Sequence, residues 1–133
     1  MERDIYLAKA DESLAGAESE YANGRYNNTA NRCYYASFQA AVSALAAAGI
    51  APRGADGTWS HSTLQAQFAE QLIRRRKVYP GDFSSVLLRN QALRETADYE
   101  PHWVTEVQAT RVLRRTRGFV DAIHRQGGGD HEE

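Results

Sequence analysis

Residues 27–48, NNTANRCYYASFQAAVSALAAA, decide the fold of this chain. Their apolar side chains recur at the three- and four-residue spacing of an amphipathic helix. One face of that helix carries the side chains that we expect in the core: Cys33, Tyr34, Phe38, Ala41, Val42 and Leu45. Six alanines between positions 40 and 48 keep the helix narrow, so that a second helix can approach it closely. Gly49 follows directly, as is typical of a helix C-terminus.

Helical periodicity continues on both sides of this stretch. The spacing predicts five helices in all, over residues 3–22, 27–48, 61–75, 82–98 and 105–125. Ser60, Asp82 and Thr105 stand where the N-caps of the last three helices are expected. No segment alternates apolar and polar residues long enough to predict a strand. The sequence therefore predicts an all-α fold, an up-and-down bundle of four to five antiparallel helices.

The chain has 133 residues, of which 42% are hydrophobic and 25% charged, as in an ordinary globular protein. This length predicts a single domain over residues 1–126, followed by a flexible glycine-rich tail over residues 127–133. Cys33 is the only cysteine, so an internal disulfide is excluded. No apolar run approaches the ~18 residues of a membrane span, and the N-terminus lacks the layout of a secretory signal. We expect a cytoplasmic protein that does not bind membranes.

The sequence offers no pattern of metal ligands and no phosphate-binding loop. None of the four histidines stands three or four residues from another histidine or from the cysteine, and no Glu-x-x-His occurs. The glycines at 127–129 precede no predicted helix, unlike those of a dinucleotide or nucleoside triphosphate site. We therefore expect neither a metal nor a cofactor.

Positive charge is concentrated in the second half of the chain. The net charge is −1 overall, but residues 71–125 hold eleven Lys and Arg against six Asp and Glu, a net charge of +5. Arginine outnumbers lysine 14 to 2, and its planar fork matches phosphate oxygens well. This half could meet an anionic partner such as RNA. Alternatively, the same arginines lie on solvent-exposed helix faces and bind no ligand.

The first candidate binding segment is residues 32–38, RCYYASF, inside the alanine-rich helix. Because successive helical positions are about 100° apart, Tyr34 and Tyr35 do not share one face. One is expected in the bundle, while the other reaches a groove or a partner. Arg32 has open space above the small Ala36, four residues on. Arg32 and Tyr35 are therefore binding candidates, although a core seam with one exposed tyrosine would give the same pattern.

The second candidate segment is residues 89–99, RNQALRETADY, at the end of the fourth predicted helix. The i,i+4 spacing predicts an ion pair between Arg94 and Asp98. Arg89 and Asn90 are expected to share a polar edge with Arg94, where an arginine could hold a phosphate. Tyr99 could stack on a base. A salt-bridged helix end with a buried tyrosine is the alternative.

These segments, in this order, resemble the HEPN superfamily of helical nucleotide-binding domains, in particular its small single-domain prokaryotic branch. The resemblance covers about residues 5–124. It rests on Arg25-Tyr26-Asn27, Ala30-x-Arg32-x-Tyr34-Tyr35-Ala36-x-Phe38-x-Ala40, Ser60-His61-Ser62, Leu93-Arg94-x-x-Ala97-Asp98-Tyr99 and Val104-Thr105.

The resemblance implies a four- or five-helix bundle, often a homodimer, that serves as a toxin or defence protein. It also implies a nucleotidyltransferase or another antitoxin as partner. Active members are metal-independent ribonucleases, in which an arginine steadies the phosphate and a histidine four to six residues later handles the proton of the attacking 2′-hydroxyl. The two residues meet across the dimer.

The chain departs from that catalytic pattern. Arg94 matches the family arginine, but Tyr99 stands where the histidine is expected, and His102 lies further along. The pKa of a tyrosine side chain is about 10, which makes it a poor general base at neutral pH. His102 is our first choice as helper, and His61 is the other histidine that could approach in space. The hypotheses are therefore an RNA-cleaving toxin, a catalytically silent module that binds a nucleotide or a protein, and a bundle without a ligand.

Overall fold

The computed structural model describes residues 2–52 and 57–132; for residues 127–132 it describes the helical backbone alone. Five helices follow one another along the chain: α1 (Glu2–Ala22), α2 (Tyr26–Ala47), α3 (His61–Gln67), α4 (Phe83–Tyr99) and α5 (Glu106–Glu132). A π-helical segment (Phe68–Arg75) continues α3. No strand occurs in the described ranges. The predicted all-α bundle is confirmed.

The alanine-rich α2 is the central helix, and it packs against α1, α4 and α5. Close approach is possible because its inward face carries fully or almost fully buried alanines: Ala30, Ala36, Ala40, Ala41 and Ala44. At the end of the bundle formed by the π-helical segment, four stacked or tilted rings fill the core, namely Phe68, Tyr79, Phe83 and Phe119. This packing anchors the start of α4 against α5.

Two of the three predicted N-caps are observed. The Ser60 hydroxyl accepts a hydrogen bond from the Thr63 amide at 3.2 Å, and Thr105 does the same for the Gln108 amide at 3.1 Å. The prediction for Asp82 is wrong, because its backbone is already helical (φ −66°, ψ −16°) and its side chain caps nothing. A capping side chain needs the extended backbone that Ser60 has.

The ends of α1 and α2 lie next to glycines, Gly24 and Gly49. Gly49, at φ +77°, ends α2 as predicted, and the Ile50 amide bonds back to the carbonyl of Leu45. The last helix instead runs to Glu132, beyond the predicted end at residue 125, since no proline follows Pro101 to stop it.

The domain over residues 1–126 and the flexible tail over 127–133 stay predictions, and Met1 and Glu133 lie outside the described residues. None of the described helices has the length and hydropathy of a membrane span.

Candidate functional site

Arg94 faces α2 from the last two turns of α4. Its guanidinium carbon lies 4.9 Å from the centroid of the Tyr34 ring, 5.6 Å from that of Tyr35 and 6.0 Å from that of Tyr99. Its Nε donates to Asp98 at 3.0 Å, which confirms the ion pair expected from the spacing. Within the described residues, its two terminal nitrogens have no hydrogen-bond partner. An arginine is thus held in place with its outer donors unused.

Asp98 is itself fixed from α2. Its carboxylate accepts a hydrogen bond from the Asn31 amide at 3.2 Å as well as the one from Arg94. One turn earlier on α2, Asn27 donates to the carbonyl of Ala97 at 3.2 Å and accepts from the Val104 amide at 2.9 Å. Sequence reasoning missed Asn31. The signal was present, because two amides four residues apart on one helix can bind the same neighbouring segment.

The paired tyrosines divide as predicted, one buried and one half-buried. Tyr34 is 3% exposed, and its hydroxyl hydrogen-bonds the imidazole of His61 at the start of α3. The Tyr35 ring packs edge-on against Tyr34, and the guanidinium carbon of Arg32 lies 5.9 Å from its centroid. Both rings nevertheless reach Arg94. We call Arg94, Tyr34, Tyr35, Tyr99, Asp98, Asn31 and His61 the Arg94 cluster.

The two aromatic residues nearest the end of α4 are open to solvent. Tyr99 is 74% exposed and Trp103 is 82% exposed. The alternative of a buried Tyr99 is therefore wrong, since the chain leaves the bundle surface at the end of α4. His102 is also exposed, and no contact joins it to the Arg94 cluster among the described residues. Of the two histidines considered, it is His61 that the fold brings to the cluster.

Asn90 does not share a polar edge with Arg94, contrary to the sequence-based expectation. It is fully buried. Its amide nitrogen donates to the hydroxyls of Ser37 (3.1 Å) and Thr116 (2.9 Å), and its oxygen accepts from Arg115 Nε (2.8 Å). These partners come from α2 and α5, so Asn90 joins three helices. Arg89 is exposed and also lies apart from the Arg94 cluster, in a groove between α4 and α5.

Neither a reactive thiol nor a metal-binding cluster occurs among the described residues. Burial raises the pKa of the Cys33 thiol to about 11, so that the reactive thiolate is scarce at neutral pH. Among the described residues, no three His, Cys, Asp or Glu side chains gather closely enough to hold a metal ion.

Comparison with known families identifies the family of the chain. The family model described as the HEPN domain matches residues 4–126. No curated protein matches the chain. Because the family match covers nearly the whole chain, the protein belongs to the HEPN domain family, whose modules are nucleotide- or RNA-related or defence-associated.

Proposed function

We propose that the chain is a toxin or defence component that acts on RNA, with Arg94 as its phosphate-binding residue. The observation that carries the proposal is the arrangement around Arg94. Asp98 and the tyrosine rings hold its guanidinium, and its terminal nitrogens have no partner among the described residues. A guanidinium held by Nε presents its two outer nitrogens as a fork, and that fork matches two phosphate oxygens.

Tyr99 supplies a second part of the proposed RNA site. Its ring is largely exposed and lies against Arg94. RNA-binding proteins use exposed aromatic rings to stack on unpaired bases, and a stacked base is stabilised by about 1–3 kcal/mol. A phosphate on Arg94 and a base on Tyr99 would be held together, which favours single-stranded RNA as the substrate class.

The proposed activity is cleavage of RNA without a metal. The 2′-hydroxyl would lose its proton and attack the adjacent phosphorus, which forms a 2′,3′-cyclic phosphate and breaks the bond from phosphorus to the 5′-oxygen. The leaving 5′-oxygen takes a proton from water. We assign the first proton to His61, because an imidazole can act as a general base and this ring adjoins Tyr34, which lies against Arg94. Tyr34 would orient the ring. His102, our first choice from the sequence, has less support because it is exposed and makes no contact with the Arg94 cluster among the described residues.

A second candidate function is a catalytically silent module that binds a nucleotide or a protein partner. It is favoured by the hydrogen bond between Tyr34 and His61, which already occupies the imidazole, and by the tyrosine at the position of the family histidine. In this case Arg94 and Tyr99 would bind their ligand without cleaving it.

A homodimer and a nucleotidyltransferase antitoxin are the proposed partners. Large exposed apolar side chains follow one another where α4 ends and α5 begins: Tyr99, Trp103 and Val107. A second copy of the chain would cover Trp103 and Val107 and leave the Tyr99 ring to the proposed RNA site. Sedimentation equilibrium at tens of micromolar should give the dimer mass, which Trp103→Ser should halve. The control is Ile5→Ser, which alters an exposed apolar residue on α1 and should leave the mass unchanged. A monomeric wild type would contradict the dimer.

Incubation of labelled single-stranded RNA with the purified chain tests the activity. The expected result is cleavage in the presence of a chelator, with 2′,3′-cyclic phosphate ends that mass spectrometry detects. Binding without cleavage would favour the silent module. If the wild type neither binds nor cleaves RNA, the proposed function is wrong.

A further inference from the structure

A groove between α4 and α5 is lined by three arginines and by no acidic side chain. Its volume is about 430 Å³. We call it the arginine groove, and its lining residues are Arg89, Ala92, Leu93, Thr96, Gln108, Arg111 and Arg115. By helical spacing, Ala92 and Thr96 lie on the side of α4 roughly opposite Arg94. The groove is therefore separate from the Arg94 cluster.

The positive charge in this groove is uncompensated. Among the described residues, neither Arg89 nor Arg111 makes an ion pair, whereas Arg117 and Arg125 on the same α5 bond Glu18 and Asp121. Burial and the nearby charge of Arg89 lower the pKa of Arg115. Like charges held close together repel each other, and a bound anion would relieve that repulsion.

One of the three arginines is held by the core. Arg115 donates from Nε to the fully buried Asn90, whose own amide is fixed by Ser37 and Thr116. Its terminal nitrogens have no partner among the described residues. The guanidinium is therefore oriented before any ligand arrives, which reduces the entropy that binding would cost.

We propose that the arginine groove binds consecutive phosphates of a single-stranded RNA. RNA as the source of these phosphates rests on the proposed function; the anion site itself rests on the groove alone. The lining supports a phosphodiester backbone over an acidic protein, because it combines guanidinium forks with the amide nitrogen of Gln108. It contains no aromatic ring and only two apolar side chains, Ala92 and Leu93, so it offers little to anchor a peptide.

Salt dependence of RNA binding tests this proposal. The probe is a fluorescent, single-stranded 2′-O-methyl RNA, which cannot be cleaved through its 2′-oxygen. The test variant is Arg89→Gln/Arg111→Gln, and the control is Arg117→Gln/Arg125→Gln, which removes the same charge from α5 outside the groove. The logarithm of the association constant falls linearly with the logarithm of the salt concentration. Each lost phosphate contact should reduce the magnitude of that slope by about 0.7. We expect the test variant to reduce that slope by about 1.4 and the control to leave it unchanged.

Equal slopes in the test variant and the wild type would overturn the proposal, and so would an equal reduction in the control. Displacement of the RNA by poly-glutamate at lower concentration than by unlabelled RNA would also overturn it, in favour of an acidic protein.

RNA cleavage by Arg94→Ala is measured separately, so that the two proposals can fail independently. If that variant loses cleavage while the groove variant keeps the wild-type slope, the groove proposal alone fails. If the groove variant lowers the slope but the wild type cleaves nothing, the groove stands and the proposed cleavage fails.

Discussion

The guanidinium of Arg94 lies against the ring of Tyr34, with its central carbon 4.9 Å from the ring centroid. This contact joins α4 to α2 at the point where both helices reach the proposed RNA site. A cation next to a tyrosine ring contributes about 0.5–2 kcal/mol, depending on how dry the contact is. Arg94 therefore stabilises the bundle as well as presenting its outer nitrogens to a ligand.

Arg94→Ala should abolish RNA cleavage and lower the free energy of unfolding by about 1–2 kcal/mol, because the ion pair to Asp98 and the ring contacts are lost together. Arg94→Lys should keep the fold and recover only part of the activity, since an ammonium lacks the bidentate fork. Cleavage assays and urea denaturation measure the two effects. Wild-type cleavage by Arg94→Ala would refute the assignment of this residue.

His61→Ala should reduce cleavage by at least about 100-fold, because general base catalysis typically contributes that much. Tyr34→Phe should retain RNA binding, since the ring under Arg94 remains, and should lower cleavage through the lost hydrogen bond to His61. The matched control is His102→Ala, which alters an exposed histidine. It should cleave like the wild type. Loss of activity in His102→Ala, with activity kept in His61→Ala, would reverse the assignment.

Asn90→Ala should destabilise the bundle by about 2–4 kcal/mol, because it leaves the buried hydroxyls of Ser37 and Thr116 and the Arg115 guanidinium without their shared partner. Asn28→Ala, at an exposed position of α2, is the control and should change stability by less than about 0.5 kcal/mol. Urea denaturation compares the two. Equal stability of both variants would show that the buried network contributes little.

The Cys33 thiol predicts a decline of stability at alkaline pH. Burial raises its pKa to about 11 in the folded chain, against about 8.5 when unfolded. Between these values only the unfolded state releases the proton. The stability associated with this group is thus fully present below about pH 8.5 and is lost as the pH rises toward about 11. Cys33→Ala should show a smaller decline between about pH 8 and pH 10.5 than the wild type in urea denaturation. An identical decline would contradict a raised pKa.

Gly16→Ala should stabilise the chain by about 0.5–1 kcal/mol. Gly16 lies inside α1, where alanine favours the helix, and an added Cβ would meet the side chain of Arg32 at an ordinary 3.5 Å. Gly49→Ala is the contrasting variant. It should destabilise by about 1–2 kcal/mol, because Gly49 has φ +77°. Thermal melts should move in opposite directions, and a lower midpoint for Gly16→Ala would mean that Arg32 cannot adjust.

The spacing of residues along the sequence predicted the features that involve a single helix. The starts of all five helices agree with the prediction to within one residue, and the ion pair between Arg94 and Asp98 follows from their i,i+4 positions. Asn90 could not be predicted in the same way. Its polar partners are Ser37 and Thr116 on two other helices, and periodicity does not reveal which side chains another helix will present.

The approach of His61 to Tyr34 was equally inaccessible from the pattern, since 27 positions separate the two residues. It depends on where α3 begins relative to α2. The exposure of Tyr99 was left open by the sequence for a related reason. A tyrosine at the end of a helix suits the core or the surface, and the choice depends on how neighbouring helices pack, which periodicity does not reveal.

The narrow inner face of α2 limits how this protein can diversify. Ala36, Ala40 and Ala41 have no exposed surface, so even a single added methyl group there would have to displace a neighbouring helix. In a library selected for folding alone, we expect these three sites to accept glycine or serine at most, while the exposed arginines of α5 accept almost any residue. New specificities would then arise by exchange of the outer surfaces of α4 and α5 around an almost unchangeable α2.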